Sequence, residues 1–266
     1  MLFLIKLSPE ITIKSRVVRR RLTRQLRRNL HRVLIELDDQ IQVQSQWDAI
    51  EVETEGSGGT KPMQIEERLR NIPGVAQINC VEKHPLPPMG DMLELTKAAH
   101  CEGLKGKTFA VRCKRSGDHS FSSVDIERFI GGGLNAKCST GGVKLKRPEV
   151  TVNLEIRGEF FYIVKTKNQG LGGLPLGCQD SVLSLISGGF DSSVSSYLCI
   201  KRGLQTHYCF FNFGGSTHEF AVKEVALFLW MKFHSSHRVM FITVPFEGVV
   251  EEILNETDDS HMGVIL

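Results

Sequence analysis

The chain has no apolar run near the roughly 20 residues a membrane-spanning helix needs. Its start, Met1-Leu2-Phe3-Leu4-Ile5-Lys6, is too short an apolar stretch for a secretory leader and lacks a basic lead. No membrane contact and a cytoplasmic location are the expectations. Cys-x-x-Cys spacing is also missing. The seven cysteines (Cys80, Cys101, Cys113, Cys138, Cys178, Cys199 and Cys209) are odd in number. Neither a disulfide framework nor a zinc site is expected, and the thiols read as reduced and mostly buried. Acidic residues are absent between Lys14 and Arg32, where nine Lys or Arg residues stand. Such a stretch suits a polyanion, although a solvated helix face is the usual fate of a charge run.

What remains is ordinary for a soluble protein. The 266 residues are 41% hydrophobic and 24% charged, enough for two or three domains with buried cores. Residues 2–7 read as a short buried strand. Leu22, Leu26, Leu30, Val33, Leu34 and Leu37 form one apolar stripe at helical spacing, and most of the arginines fall off it. Strands near Ile41–Val43 and Ala49–Val52, a loop at Gly56-Ser57-Gly58-Gly59, a helix near Met63–Arg70 and a strand near Val75–Val81 follow. That order is the ferredoxin-like pattern. Pro85, Pro87, Pro88 and Gly90 punctuate the chain before a second unit. It has a helix near Met92–Cys101, a strand Thr108–Cys113, a polar loop Lys114–Ser123, and a helix from Val124 with Ser122 and Asp125 at capping-box spacing. Strands Val150–Ile156 and Phe160–Lys165 form a hairpin.

Gly170, Gly172, Gly173, Pro175 and Gly177 then read as a hinge-like linker. Beyond it, strands at Val182–Ile186, Thr206–Phe211 and Val239–Val244 alternate with helices at about Ser192–Arg202 and Thr217–Phe233, the second with a Ser216–Glu219 capping box. Alternation of this kind predicts a parallel sheet with covering helices.

The strongest chemical signal is a buried strand running into Ser187-Gly188-Gly189-Phe190-Asp191-Ser192, followed by Ser193 and a helix. Two glycines let the backbone approach a ligand, and the helix N-terminus offers N–H groups to an anion. The hydroxyls of Ser187, Ser192 and Ser193 can add donors. Asp191 would repel phosphate unless a Mg²⁺ ion bridges the two, or unless it caps the helix. No Walker A pattern occurs.

Ser187-Gly188-Gly189-Phe190-Asp191-Ser192 resembles the PP-loop of the N-type ATP pyrophosphatases. These enzymes cleave ATP between the α and β phosphates and adenylate a carbonyl oxygen of a second substrate. The resemblance implies ATP and Mg²⁺ as cofactors, pyrophosphate held on the loop, and adenine held by backbone groups at Leu185, Ile186, Phe210 and Phe211. Phe109-Ala110-Val111-Arg112-Cys113-Lys114-Arg115, with His119, Phe121, Ser122 and Arg128, resembles a THUMP domain. So does Val143-Lys144-Leu145-Lys146-Arg147-Pro148. The sequence of domains is similar to that of the tRNA 4-thiouridine synthetases (tRNA sulfurtransferases), as are the segments Ile5–Ser15 and Gly170–Pro175.

The expected architecture is α/β and α+β multidomain. Residues 1–62 begin a ferredoxin-like domain, whose end overlaps a THUMP domain at 63–167. A linker at 168–180 leads to an incomplete doubly wound parallel-sheet PP-loop domain at 181–266. The resemblance implies adenylation of uridine 8 of tRNA, then attack by a persulfide sulfur. It also implies a cysteine desulfurase as sulfur donor, a sulfur carrier protein of thiazole synthesis as a further partner, and a homodimer. RNA-contact candidates are Arg20, Arg24, Arg27, Arg28, Lys114, Arg115, Lys144, Lys146 and Arg147. The chain stops inside an apolar run, Met262-Gly263-Val264-Ile265-Leu266, with room for three strands after the linker. A doubly wound sheet normally has five or more, so a truncated enzyme with exposed sheet edge and apolar surface is expected. None of the seven cysteines takes the family's sulfur-handling position. A small-molecule ligase and an RNA-binding fragment without catalysis are the competing readings.

Overall fold

Helix α2 (Arg16–Leu34) organises the front of the molecule. Its buried stripe, Leu22, Leu26, Leu30, Val33 and Leu34, packs on Phe3, Ile5 and Leu7 of strand β1 (Leu2–Leu7). Leu37 lies past the helix end but still packs on this core. The computed structural model describes residues 1–46, 49–54 and 61–256, so the 56–59 loop and the final 262–266 run fall outside the described residues. After α1 (Pro9–Thr12) and α2 come β2 (Gln42–Ser45), β3 (Ala49–Glu53), α3 (Lys61–Arg70) and β4 (Val75–Pro85). Their sheet order, β2-β3-β1-β4, is that of a ferredoxin-like fold.

β4 ends at Pro85, and the prolines beyond it do not part the two units into separate sheets. Along its whole second half β4 pairs antiparallel with β7 (Phe160–Gln169), out to Pro85 opposite Phe160. One seven-stranded sheet results, β2-β3-β1-β4-β7-β6-β5. The second unit adds α4 (Met89–His100), β5 (Phe109–Ser116), α5 (Ser123–Lys137) and β6 (Val150–Arg157). Its helices cover Phe109, Val111, Leu154, Ile156, Phe161 and Ile163. The expected capping box is present: Asp125 N–H donates to Ser122 Oγ, and Ser122 N–H donates to the Asp125 carboxylate.

Two expectations for this unit are corrected. Lys114 and Arg115 belong to β5, not to a loop, because β5 continues its parallel pairing with β6 as far as Ser116 opposite Arg157. Cys101 and Cys138 form a disulfide, with Cα atoms 5.6 Å apart. They close the ends of α4 and α5, which pack side by side, and a separation of 37 residues hides that proximity in the sequence.

The glycine-rich segment is a pinned strap, not a hinge. Gly170 N–H donates to Ala76 O, Gly172 N–H to Val75 O, Leu174 N–H to Lys201 O and Gly177 N–H to Gly203 O. The Ser8 hydroxyl donates to Gly173 O. Asn29, fully buried, donates its side-chain amide to Leu176 O at 2.9 Å, and Gln25 reaches the same carbonyl at 3.3 Å. Leu176 is buried in the third unit's core, while Leu174 and Cys178 pack on the first. Glycine suits this crowded backbone: a Cβ on Gly173 (φ +76°) would sit 2.0 Å from Lys201 O.

The third unit is a parallel sheet, β10-β9-β8, formed by β8 (Ser181–Leu185), β9 (Gln205–Asn212) and β10 (Phe241–Pro245). Helices α6 (Phe190–Lys201) and α7 (Ser216–Leu229) cover one face over Ile186, Tyr208 and Phe210, and α8 (Glu247–Glu256) follows β10. Alternation sends Leu183, Leu185, Phe211 and Ile242 to the other face, where they stay exposed. The expected Ser216 capping box is not formed. Gly215 takes the N-cap position, and Glu219 instead accepts from Thr243 Oγ1 (2.8 Å) and pairs with Lys223. α7 is also shorter than expected, giving way to a wider turn over Trp230–His234.

His234 ends that turn fully buried, and its Nε2 accepts from Thr206 N–H at 3.2 Å. Burial, with His237 and His207 nearby, pushes its pKa down to about 3. Below a pH of about 6.5 the unfolded chain binds a proton that the folded chain refuses. Stability is therefore full above that pH and falls as pH drops toward 3, by about 1.4 kcal/mol per unit from this group. Urea titrations at about pH 7.5 and pH 5 are expected to differ by about 2 kcal/mol. Equal stabilities would contradict the neutral, buried imidazole.

Candidate functional site

The phosphate loop sits where β8 ends and α6 begins. Gly188 takes φ +80°, a conformation that disfavours side chains, and a Cβ there would approach Val222 Cγ2 at 3.1 Å. Gly189, not Asp191, is the residue ahead of the helix, and no side chain caps it. Asp191 lies in the helix's first turn with its side chain exposed, so the capping alternative for it is removed. The loop braces itself. Ser187 N–H donates to Ser192 Oγ at 3.3 Å, and Ser193 Oγ donates to Gly189 O at 2.8 Å. Behind it, Ser196 Oγ donates to Ser192 O and meets Ser184 Oγ, both at 2.7 Å. Ser193 is thus turned inward. The Ser192 hydroxyl also donates to Gly189 O (3.2 Å) and lies 3.3 Å from that of Ser187, which is exposed. Uncapped helix N–H groups, two hydroxyls and one carboxylate together suit a phosphate and a hard cation.

The other nucleotide candidates lie beside the loop. Leu185 pairs with Cys209, which places Leu185-Ile186 next to Phe210-Phe211 at the strands' C-terminal ends. Ile186 N–H already donates to Cys209 O at 2.9 Å, so that group is used by the sheet. The Phe210 side chain is buried, and Phe211 meets Phe246 edge-on at 5.5 Å. Phe190 is 92% exposed at the loop's lip. Cys209 is buried and Cys178 is packed, with burial raising the Cys178 thiol pKa.

The nine RNA candidates do not form one patch. Arg20, Arg24 and Arg27 line a groove between α2 and β2, whereas Arg28 lies outside that lining. Lys114 and Arg115 line a cleft of about 650 Å³ between the first two units. Lys144, Lys146 and Arg147 are exposed on the segment beside β5, where Lys144 N–H donates to Phe109 O. Arg147 alone among described non-glycine residues has a positive φ, 51°.

Sequence reasoning missed Lys6 and Arg157 in the cleft. Both ion-pair with buried Glu155, at 2.6 and 2.8 Å, and Asn79 donates to its second oxygen at 3.3 Å. The carboxylate is satisfied and outnumbered, so the cleft stays cationic. The available signal was charge at inward positions of otherwise apolar strands.

Residues 177–266 match the family described as Thiamine biosynthesis protein (ThiI), residues 2–79 the ThiI ferredoxin-like domain, and residues 89–164 the THUMP domain. The chain belongs to the ThiI family. A ThiI-family relative from Saccharophagus degradans, named tRNA sulfurtransferase, is 51% identical over the whole chain, and another of that name from Shewanella loihica is also 51% identical. The chain spans about half (55%) of the length of these ThiI relatives. Among solved structures, a 4-thiouridine synthetase–RNA complex with bound ATP matches with a TM-score of 0.79 at 20% identity, covering 99% of this chain and 67% of that one. A Pyrococcus horikoshii protein matches at 0.76 and 17%, covering 96% and 83%. These two share the chain's fold, whose units the family matches name as ferredoxin-like, THUMP and ThiI.

Proposed function

We propose that the chain carries the RNA-positioning units and the phosphate loop of an ATP-dependent tRNA sulfurtransferase that makes 4-thiouridine at position 8. The observation that carries this reading is an uncapped phosphate loop in a unit that the strap's hydrogen bonds tie to a first unit bordering two cationic clefts. The relatives named tRNA sulfurtransferase support it.

The order of events follows from leaving-group chemistry. A uridine O4 is a poor leaving group until it carries AMP. O4 attacks the α-phosphate, the bond to the β-phosphate breaks, and pyrophosphate departs. Loop N–H groups and the Ser187 and Ser192 hydroxyls hold the pyrophosphate where charge develops. Asp191 fits a Mg²⁺ ion, because an exposed carboxylate beside hydroxyls is a hard oxygen donor set; when bound, the ion neutralises phosphate charge. The outer sulfur of a persulfide (R–S–SH) then attacks C4 and displaces AMP, and a thiol breaks the remaining S–S bond, releasing 4-thiouridine and leaving a disulfide. In this reading the sulfur comes from a cysteine desulfurase, a thiazole-pathway carrier protein is a second acceptor, and the working unit is a homodimer.

The exposed second face of the three-stranded sheet favours an alternative, RNA binding without catalysis. Exchange of labelled pyrophosphate into ATP separates the two. Exchange that needs unmodified tRNA supports the adenylating enzyme. Exchange without RNA favours a small-molecule acceptor, and none at all, with RNA still bound, favours the alternative.

A further inference from the structure

Adenylating a uridine leaves a proton to place. As O4 bonds to the α-phosphorus, the N3–H electrons form an N3=C4 double bond and the C4=O4 π pair becomes the new O–P bond. Pyrophosphate leaves with the pair of the broken P–O bond, and the N3 proton must go to a base. The groups already given roles at the loop are committed elsewhere. The Ser187 and Ser192 hydroxyls hold pyrophosphate, Asp191 is given to the cation, and Glu219 is held by Thr243 and Lys223. His218 is not committed. It lies in the first turn of α7, on the stripe that Val222, Ala226 and Leu229 continue at helical spacing. Those three are buried, and Val222 is the residue that a Cβ on Gly188 would meet. One turn earlier, at the carboxyl ends of the strands, His218 emerges exposed. Its ring lies 5.3 Å from that of Phe210, the β9 residue next to Cys209, the partner of Leu185. Its ring nitrogens make no hydrogen bond among the described residues, whereas those of His119, His207, His234 and His237 do.

We propose that His218 is the general base that takes the N3 proton of the target uridine. The proposal rests on the function reading above and adds a proton acceptor to it. A histidine on the solvated face of a helix needs no explanation, but this one continues the packed face and is held by a ring contact with both nitrogens open. Imidazole is the side chain suited to moving a proton near neutral pH. A base in this place also narrows the acceptor to a carbonyl flanked by an N–H, as in uridine. Glu247, beside Gly214 at the start of α8, is the other candidate at this edge, but a carboxylate is the weaker base.

The test uses His218→Gln in the full chain. His218 is exposed and glutamine keeps helix propensity, so circular dichroism should be unchanged. Affinity for ATP–Mg²⁺ and for unmodified tRNA should stay within about twofold, while tRNA-dependent exchange of labelled pyrophosphate into ATP falls about 100-fold or more. Added imidazole should restore exchange in His218→Ala, which a merely structural role would not produce. Unchanged exchange in His218→Gln, or a loss confined to Glu247→Gln, would overturn the base and leave the function reading intact. A footprint needs no turnover. Diethyl pyrocarbonate should modify His218 in the free chain, and ATP–Mg²⁺ with unmodified tRNA should protect it, whereas tRNA lacking the base at the target position should not. Equal modification with and without the target base would overturn the assignment. A wild type that neither binds tRNA nor exchanges would remove the function reading and the base with it.

Discussion

Gly173→Ala is expected to destabilise the protein by about 3 kcal/mol or more, far beyond a typical surface change. Two costs add. An alanine at φ +76° has its Cβ crowded by its own backbone, worth roughly 1–2 kcal/mol. The same Cβ would lie 2.0 Å from Lys201 O, a backbone atom that cannot swing away and that already accepts from Leu174 N–H. The strap or the α6 end must move, and both are tied to neighbours. Gly172 is the internal control. Its φ is +71° and nothing stands within 4 Å of its Cβ, so Gly172→Ala should cost only about 1 kcal/mol. Urea unfolding of the pair checks this. Equal costs would mean that the strap is slack and the three units are not fixed to one another.

Gly188→Val is expected to cut ATP–Mg²⁺ affinity about 100-fold, or about 2.8 kcal/mol, as read by titration calorimetry. A β-branched residue at φ +80° is a backbone outlier, and its Cβ would press on Val222. The loop would relax by turning its N–H groups away from the anion. Because Gly188 is exposed, the loss in folding stability should be smaller than the loss in binding. Unchanged ATP affinity would remove the loop as the nucleotide site.

Much of this architecture was written in local pattern. The α2 stripe at helical spacing, the Ser122–Asp125 box and the strand-to-loop-to-helix step at Ser187 each depend on residues a few positions apart. What stayed hidden depends on distant partners. β4 looks finished at Val81 because its second half is completed by β7, some 80 residues on. The 170–177 glycines read as freedom, yet Gly170, Gly173 and Gly177 are crowded by Val75, Lys201 and His237, and only Gly172 has open space around its Cβ. Glu219 sits where a capping residue would, but Thr243 and Lys223 compete for it. The arginines of α2 share one composition, and only the fold separates the groove set from Arg28 and from Arg32 on the third unit.

The most direct test is binding of the chain to unmodified tRNA across a salt series, with and without ATP–Mg²⁺, for wild type and Asp191→Ala. The account predicts tight binding that falls steeply with salt and is the same in both proteins, while only wild type holds ATP. Weak binding that is flat with salt would contradict it and leave the phosphate loop without an RNA substrate.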